Sequence, residues 1–111
     1  MVQSIQKKKA LHFSKAFFSD NELNYCNEKI ESLTALICVK ESCIKALSNL
    51  NQIPRYTYKD IELAHHKGGK PYIIFHKELK GYLIANRLRS EVTISHTQVL
   101  ASAIVIIFKE Y

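Results

Sequence analysis

The spacing of apolar residues changes partway along the chain, and this change limits the fold classes open to it. Up to residue 50, apolar residues recur at three- and four-residue steps, as they do along one face of a helix. From residue 60 onward, most segments alternate polar and apolar residues or are rich in Val and Ile, as strands are. Helices followed mostly by strands predict an α+β fold with an antiparallel sheet packed against a long central helix.

Single residues mark where these segments begin and end. Ser19-Asp20-Asn21-Glu22 is a capping box, in which the side chains of Ser19 and Glu22 each bond the other's backbone amide. A turn at Lys67-Gly68-Gly69-Lys70 joins two strands into a hairpin. The pattern predicts helices at 19–30, 32–50 and 77–88, and strands at 60–65, 71–75, 91–95 and 100–108. The apolar face of the long helix is expected to carry Leu33, Leu36, Ile37, Ile44 and Leu47.

Length and cysteine usage indicate one domain in a reducing compartment. A chain of 111 residues has the size of a single domain, which we expect to cover residues 1–111. Its longest apolar run, Val99 to Phe108, is shorter than the ~20 residues that span a bilayer, and it predicts a buried strand. Cys26, Cys38 and Cys43 form no C-x-x-C pair and are odd in number. We therefore expect free thiols, a cytoplasmic location and no membrane attachment.

The net charge of +6 favours an anionic partner. Lys7, Lys8 and Lys9 contribute three of these charges near the start of the chain. A nucleic acid, a phosphorylated small molecule and an acidic protein all remain open on charge alone. The tyrosines are not spaced as a base-stacking surface, so nucleic acid is the least favoured of the three.

The segment Lys40-Glu41-Ser42-Cys43-Ile44-Lys45-Ala46 places charges in the middle of an otherwise apolar helix. Glu41 and Lys45 are four residues apart and share a helix face, so one interpretation is an ordinary surface ion pair. Charges among apolar neighbours are costly unless they are paired or used. A carboxylate one turn from an ammonium also fits a magnesium–phosphate site, in which the carboxylate binds the metal and lysine offsets phosphate charge.

Two further segments could contact an anion. Thr93-Ile94-Ser95-His96-Thr97 puts two hydroxyls around an imidazole at a predicted strand end, although such residues also occur in ordinary turns. Gly69-Lys70-Pro71 combines a glycine, which allows close approach to the backbone, with a lysine that can bind phosphate. Taken alone, this segment predicts only a turn.

In this order and spacing, the three segments resemble the holo-[acyl-carrier-protein] synthase type of 4′-phosphopantetheinyl transferase. The family's K-E-[AS]-x-x-K-A motif stands at 40–46, its G-K-P at 69–71 and its S-[IL]-S-H-[ST] at 93–97. The segment Phe17 to Leu23 is similar to the family's entry to its first capped helix. The resemblance covers about residues 13–108. It implies a phosphopantetheinyl transferase-like fold and transfer of phosphopantetheine from coenzyme A to a serine of an acyl carrier protein, using magnesium.

The resemblance also implies a role for each motif residue. Glu41 would hold Mg²⁺ on the coenzyme A diphosphate, Lys45 would offset charge as 3′,5′-ADP leaves, and Lys40 would contact phosphate or orient the carrier serine. By the same resemblance, Gly69, Lys70 and Pro71 would line the adenine–ribose end of coenzyme A. Ser95, His96 and Thr97 would bind its phosphates. Lys7, Lys8 and Lys9 would face the acidic carrier protein. A homotrimer with its active site between subunits is the assembly that the resemblance implies.

The chain departs from the family pattern at two positions. If Val2 to Ile5 match the segment after the family's opening strand, Met1 falls where the strand's metal-binding aspartate is expected. Leu36 stands where the family usually has an arginine that contacts coenzyme A phosphate. Three readings stay open: a chain that starts too late, a divergent enzyme whose missing ligand is replaced, or a member that binds coenzyme A or a carrier protein without transfer.

Overall fold

The computed structural model describes residues 17–26, 30–96 and 101–110. Its elements are, in chain order, α1 (Asp20–Cys26), α2 (Ile30–Leu47), a 3-10 helix (Tyr58–Asp60), β1 (Ile61–His65), β2 (Pro71–Phe75), α3 (Lys77–Ala85), β3 (Leu88–His96) and β4 (Ala101–Lys109). The strands pair antiparallel, β1 with β2 and β3 with β4, so the predicted α+β class is confirmed. The expectations for Met1, Lys7, Lys8, Lys9, Thr97 and the link between the first two helices fall outside the described residues.

The capping box starts α1 as predicted. The Ser19 amide donates to Glu22 Oε1 at 2.9 Å, and the Glu22 amide donates to Ser19 Oγ at 3.1 Å. Phe18, just before the cap, is buried with Leu33 and Leu36 of α2, and Leu23 packs against the same cluster. These contacts hold α1 against the first half of α2.

The long helix α2 supplies much of the core. Val39, Cys43 and Leu47 are fully buried and pack with Ile61 and residues of α3 and the strands. Ile37, predicted on the buried face, is instead 46% exposed. The helix ends at Leu47, where the hydroxyl of Ser48 donates to the Lys45 carbonyl at 2.6 Å. A serine bonded in this way competes with further helical turns.

The hairpin β1–β2 forms as predicted. Ile61 pairs with Phe75 at one end and His65 with Pro71 at the other. The connecting turn closes through Gly69, whose φ of 95° suits a residue without Cβ. Its amide donates to the His66 carbonyl at 2.8 Å.

Strand β3 is longer than predicted, and β4 keeps its predicted length but is shifted by one residue; they pair from Leu88↔Lys109 to His96↔Ala101. One face of β4, with Val105 and Ile107, packs on the core. The other face carries Ile104, Ile106 and Phe108, which are 63%, 56% and 40% exposed. We call these three residues the β4 strip. The prediction of a buried strand is therefore wrong for this face, because both faces of the segment are apolar and only one is covered within the chain.

Candidate active site

Glu41 and Lys45 lie on the exposed side of α2, as their four-residue spacing predicts. Within the described residues no ion pair joins them. The Tyr58 hydroxyl donates to Glu41 Oε1 at 2.9 Å. This hydrogen bond is the first cause of a raised pKa for Tyr58, because it favours the protonated phenol beside a carboxylate. The helix therefore presents a carboxylate and an ammonium that are both open to a ligand.

Lys40, the residue before Glu41, faces the interior and is buried, with 1% of its surface exposed. Its Nζ lies 3.0 Å from Glu22 Oε1 and donates to the carbonyls of Tyr58, at 2.6 Å, and Ile61. The ring of Phe18 lies 5.6 Å away. Three acceptors match the three N–H groups of an ammonium. Burial nevertheless lowers the pKa of Lys40, an effect that the Glu22 carboxylate opposes.

Glu22 and Glu62 link the capping box to the strands. Besides its cap contact and its ion pair, Glu22 accepts the Leu63 amide through Oε2 at 2.8 Å. Glu62 accepts the Ser19 hydroxyl on Oε2, and its Oε1 lies 2.9 Å from Nε2 of His76. Sequence reasoning missed this network, since its only sequence signal is the capping box itself. The network fixes the turn of α2 that carries Lys40, and with it the outward direction of Glu41.

Small residues of α2 contact the backbone of β4. Ser42 Oγ donates to the Ala103 carbonyl at 3.0 Å, and Cys38 Sγ lies 3.7 Å from the Ala101 carbonyl. Ala101 and Ala103 pair with His96 and Ile94, which flank Ser95 on β3. The turn that carries Glu41 therefore lies beside this end of the sheet, but Ser95 pairs with Ser102 and so lies on the face that points away from α2. Ser95 is exposed, and Thr97 and the side chain of His96 lie outside what the structure describes.

The Gly69-Lys70-Pro71 turn lies elsewhere in the same chain. Lys70 and Pro71 line a cavity of about 400 Å³ together with residues 88–92, the first half of β3. His66 and Tyr72 stack beside it, with ring centroids 4.2 Å apart. A strand rises about 3.3 Å per residue, so Ser95 lies roughly 10 to 23 Å farther along β3 than these lining residues. Within one chain, the structure therefore places Glu41 and Lys45 on one helix face and leaves Ser95 and Lys70 in two other regions.

Glu41 has the chemistry of a magnesium ligand. It is exposed, and Mg²⁺ in phosphate sites is commonly held by one or two carboxylates, with substrate phosphates and water completing its oxygen shell. Across residues 17–26, 30–96 and 101–110, no group of three or more His, Cys, Asp or Glu side chains converges as a metal site. The arrangement therefore fits a cation that is bound together with a phosphate ligand rather than one held by the described side chains alone.

Comparisons with known proteins agree on the family. A model of the 4′-phosphopantetheinyl transferase superfamily matches residues 2–101. The holo-[acyl-carrier-protein] synthase of Hydrogenobaculum sp. is 31% identical over 116 residues, covering 99% of this chain and 93% of that protein. The Borreliella burgdorferi protein of the same name is 38% identical over 96 residues, covering 82% and 77%.

Solved structures show the same fold. The holo-[acyl-carrier-protein] synthase of Helicobacter pylori, solved in complex with coenzyme A, superposes with a TM-score of 0.76 at 25% identity, covering 96% of this chain and 90% of that one. The chain belongs to the 4′-phosphopantetheinyl transferase superfamily. Within it, the curated relatives match the holo-[acyl-carrier-protein] synthase type that the sequence motifs resemble, which confirms the family and the enzyme class. No helix in the described segments is long and apolar enough to cross a bilayer.

Proposed function

We propose that this enzyme transfers 4′-phosphopantetheine from coenzyme A to a serine of an apo acyl carrier protein, in a magnesium-dependent reaction. The observation that carries the proposal is the pair Glu41 and Lys45, one helical turn apart, exposed and not joined to each other. The relatives' names and the coenzyme A complex of the Helicobacter pylori protein supply the substrate classes. The carrier serine Oγ forms a bond to the phosphorus next to pantetheine, the phosphoanhydride bond breaks, and 3′,5′-ADP leaves while the serine proton is lost.

Glu41 and Lys45 have distinct parts in this step. Glu41 would hold Mg²⁺, which when bound would offset the charge of the diphosphate. Lys45 places its ammonium against the phosphate oxygens that gain charge as the anhydride bond breaks. Phosphoryl transfer depends mainly on such positioning and charge neutralisation. For Lys40 we propose a positioning role, because its ammonium is enclosed by Glu22 and two carbonyls.

The coenzyme A site is proposed to lie between subunits of a homotrimer. We assign the Gly69-Lys70-Pro71 turn to the adenine–ribose end of coenzyme A and Ser95, His96 and Thr97 to its phosphates. Within one chain, Lys70 and Ser95 lie in separate regions. A turn from a neighbouring copy can complete the site beside Glu41. The β4 strip offers an apolar surface for that contact. For Lys7, Lys8 and Lys9, which lie outside the described residues, we propose contact with the acidic carrier protein. The free thiols of Cys38 and Cys43 agree with the proposed cytoplasmic location.

An intact-mass assay tests the reaction. The chain is mixed with coenzyme A, Mg²⁺ and an apo acyl carrier protein, and the carrier is expected to gain one phosphopantetheine. Glu41→Ala and Lys45→Ala are expected to slow this gain strongly, while Lys59→Ala, which removes an exposed lysine outside the site, keeps it. If both site variants retain full activity, the site assignment is wrong.

The alternative is a protein that binds coenzyme A or a carrier protein without transfer. Leu36 favours it, because this residue is 1% exposed in the cluster with Phe18 and Leu33 and supplies no cation to a phosphate. Under this alternative, coenzyme A binds in a calorimeter but the carrier mass never changes, even at high magnesium. Any magnesium-dependent gain of one phosphopantetheine eliminates it.

The assembly has its own test. Ile104→Lys puts a charge in the β4 strip and is expected to shift the protein from trimer to monomer in sedimentation velocity. Ile84→Lys is the matched control, because Ile84 is 67% exposed on α3, away from the strip. An Ile104→Lys protein that still sediments as a trimer would show that the strip is not the contact.

A further inference from the structure

Tyr58 contacts two neighbouring residues of the Lys40-Glu41 motif at once. Its backbone carbonyl accepts from Lys40 Nζ at 2.6 Å, and its hydroxyl donates to Glu41 Oε1 at 2.9 Å. This tyrosine lies outside the segments 40–46, 69–71 and 93–97. It is 17 residues from Glu41, and only the fold brings the two together.

The hydroxyl of Tyr58 is held on a short and well-fixed element. The ring packs edge-on against Phe17, with centroids 4.7 Å apart and planes at 82°. Tyr58 is the first residue of the 3-10 helix. The Asp60 carboxylate caps the N-terminus of this helix by accepting the Thr57 amide at 2.9 Å. Asp60 is buried, and its carbonyl accepts the amide of His76 at 3.0 Å. The phenol is therefore fixed at its ring, at its carbonyl and at the end of its helix.

Glu41, by contrast, has an exposed side chain with three rotatable bonds. The Tyr58 hydroxyl holds Oε1, and among the described residues no hydrogen bond reaches Oε2. A carboxylate oxygen has a second lone pair, so Oε1 also keeps one free site. The phenol therefore selects one orientation of the carboxylate while leaving it able to bind a cation.

We propose that Tyr58 is a positioning residue, which holds the Glu41 carboxylate in place for a divalent cation. This inference rests on the proposed function, in which Glu41 binds Mg²⁺. Hydrogen bonds to a metal ligand fix its orientation, and removing them commonly lowers metal affinity by about 10- to 100-fold. The expected result for Tyr58 is near the lower value, because the site is exposed.

The test is Tyr58→Phe, with Mn²⁺ as the probe and its binding followed by electron paramagnetic resonance in the presence of coenzyme A. The ring and the backbone carbonyl remain, so the contacts to Phe17 and Lys40 remain too. Mn²⁺ affinity is expected to fall about tenfold. In the transfer assay, the Mg²⁺ concentration for half-maximal rate rises by a similar factor, while the rate at saturating Mg²⁺ stays near that of the unaltered protein. The melting temperature without metal is expected to be unchanged.

Tyr82→Phe is the matched control. It also removes a tyrosine hydroxyl, one that donates to the Asn51 carbonyl at 2.6 Å and does not contact Glu41. Its Mn²⁺ affinity is expected to equal that of the unaltered protein. If Tyr58→Phe behaves like Tyr82→Phe, the inference is overturned.

Glu41→Gln separates this inference from the proposed function. If Glu41→Gln loses Mn²⁺ binding while Tyr58→Phe retains it in full, the positioning role fails and the metal role of Glu41 stands. If Glu41→Gln binds Mn²⁺ as the unaltered protein does, or the unaltered protein binds none, both proposals fail. Weaker binding in both variants, with Tyr82→Phe unaffected, supports both.

Discussion

Two neighbouring charged residues of α2 have opposite environments, one buried and one exposed. Lys40 is buried and has a carboxylate and two carbonyls around its ammonium, whereas Glu41, the next residue, is exposed and has one contact, to Tyr58. The first arrangement stabilises the fold, and the second leaves a charge available for a ligand. A single motif can therefore contain residues kept for different reasons, and burial, rather than adjacency in sequence, separates them.

Replacing Lys40 gives the largest expected effect. Lys40→Met leaves the Glu22 carboxylate buried without its cation, and breaking a buried pair in this way costs about 3–5 kcal/mol. Urea unfolding measures the loss. Lys45→Met is the control on the exposed side, and it is expected to change the free energy of unfolding by less than about 0.5 kcal/mol. Equal losses in the two variants would break the distinction between the two sides of the helix.

Replacing Glu41 should lower the transfer rate while leaving the stability of the fold almost unchanged. Glu41→Ala is expected to slow carrier modification at least 100-fold, roughly the effect of removing one group that stabilises transition-state charge. Its free energy of unfolding should stay within about 0.5 kcal/mol of the unaltered protein, because the side chain is exposed. Transfer rates by intact mass and urea curves are measured on the same preparation. A large loss of stability in Glu41→Ala would contradict the assignment.

Acid should weaken the buried network that joins the capping box to β1, through Glu62. Burial alone raises the pKa of Glu62, but hydrogen bonds from Ser19 and His76 outweigh it, so the net pKa lies below the ordinary value of 4.5. The unfolded carboxyl therefore takes up a proton at higher pH than the native one. The stability from Glu62 is full above pH 4.5 and is lost as pH falls through the lower native value.

Glu62→Gln is expected to cost about 1.5–3 kcal/mol at pH 7, where the charged hydrogen bonds are lost, and much less near pH 3. Urea midpoints at the two pH values measure the difference. A cost that does not depend on pH would mean that the charge of Glu62 is not what stabilises this cluster.

The smallest expected effect concerns the contact between helix and sheet. Ser42→Ala removes the hydrogen bond to the Ala103 carbonyl and is expected to cost about 1 kcal/mol in urea unfolding. Ser48→Ala removes an exposed bond to the Lys45 carbonyl and should cost less than about 0.5 kcal/mol. If the two variants lose the same free energy of unfolding, the Ser42 hydrogen bond does not stabilise the packing of α2 on β4.

Local signals predicted the capping box and the hairpin because their determinants lie within a few residues of one another. The Ser19–Glu22 bonds span three residues, and the β1–β2 turn has glycines at its centre. The burial of Lys40 could not be predicted, because Glu22, Tyr58 and Ile61 lie 18 to 21 residues away from it. The same holds for Tyr58, which meets Glu41 only through the packing of the 3-10 helix on α2.

The exposed face of β4 shows a different limit of sequence reasoning. Where apolar residues occupy both faces of a strand, alternation no longer tells which face is covered. Ile37 on α2 is a similar case, since its spacing fits the buried face but its side chain is 46% exposed. In the proposed homotrimer, a second copy would cover such residues, and a pattern read along one chain does not contain that contact.

The β4 strip also bears on how the protein behaves when copies are scarce. The segment 103–108 reads Ala-Ile-Val-Ile-Ile-Phe, without charge, proline or glycine, which is the composition of segments that stack into fibrils. In the described residues, β4 pairs with β3 on one side and with no strand on the other. An uncovered β4 is thus a template for strand addition, so dilute or newly made chains are the vulnerable population. Self-association that covers both the strip and this edge would then protect against aggregation as well as complete the enzyme.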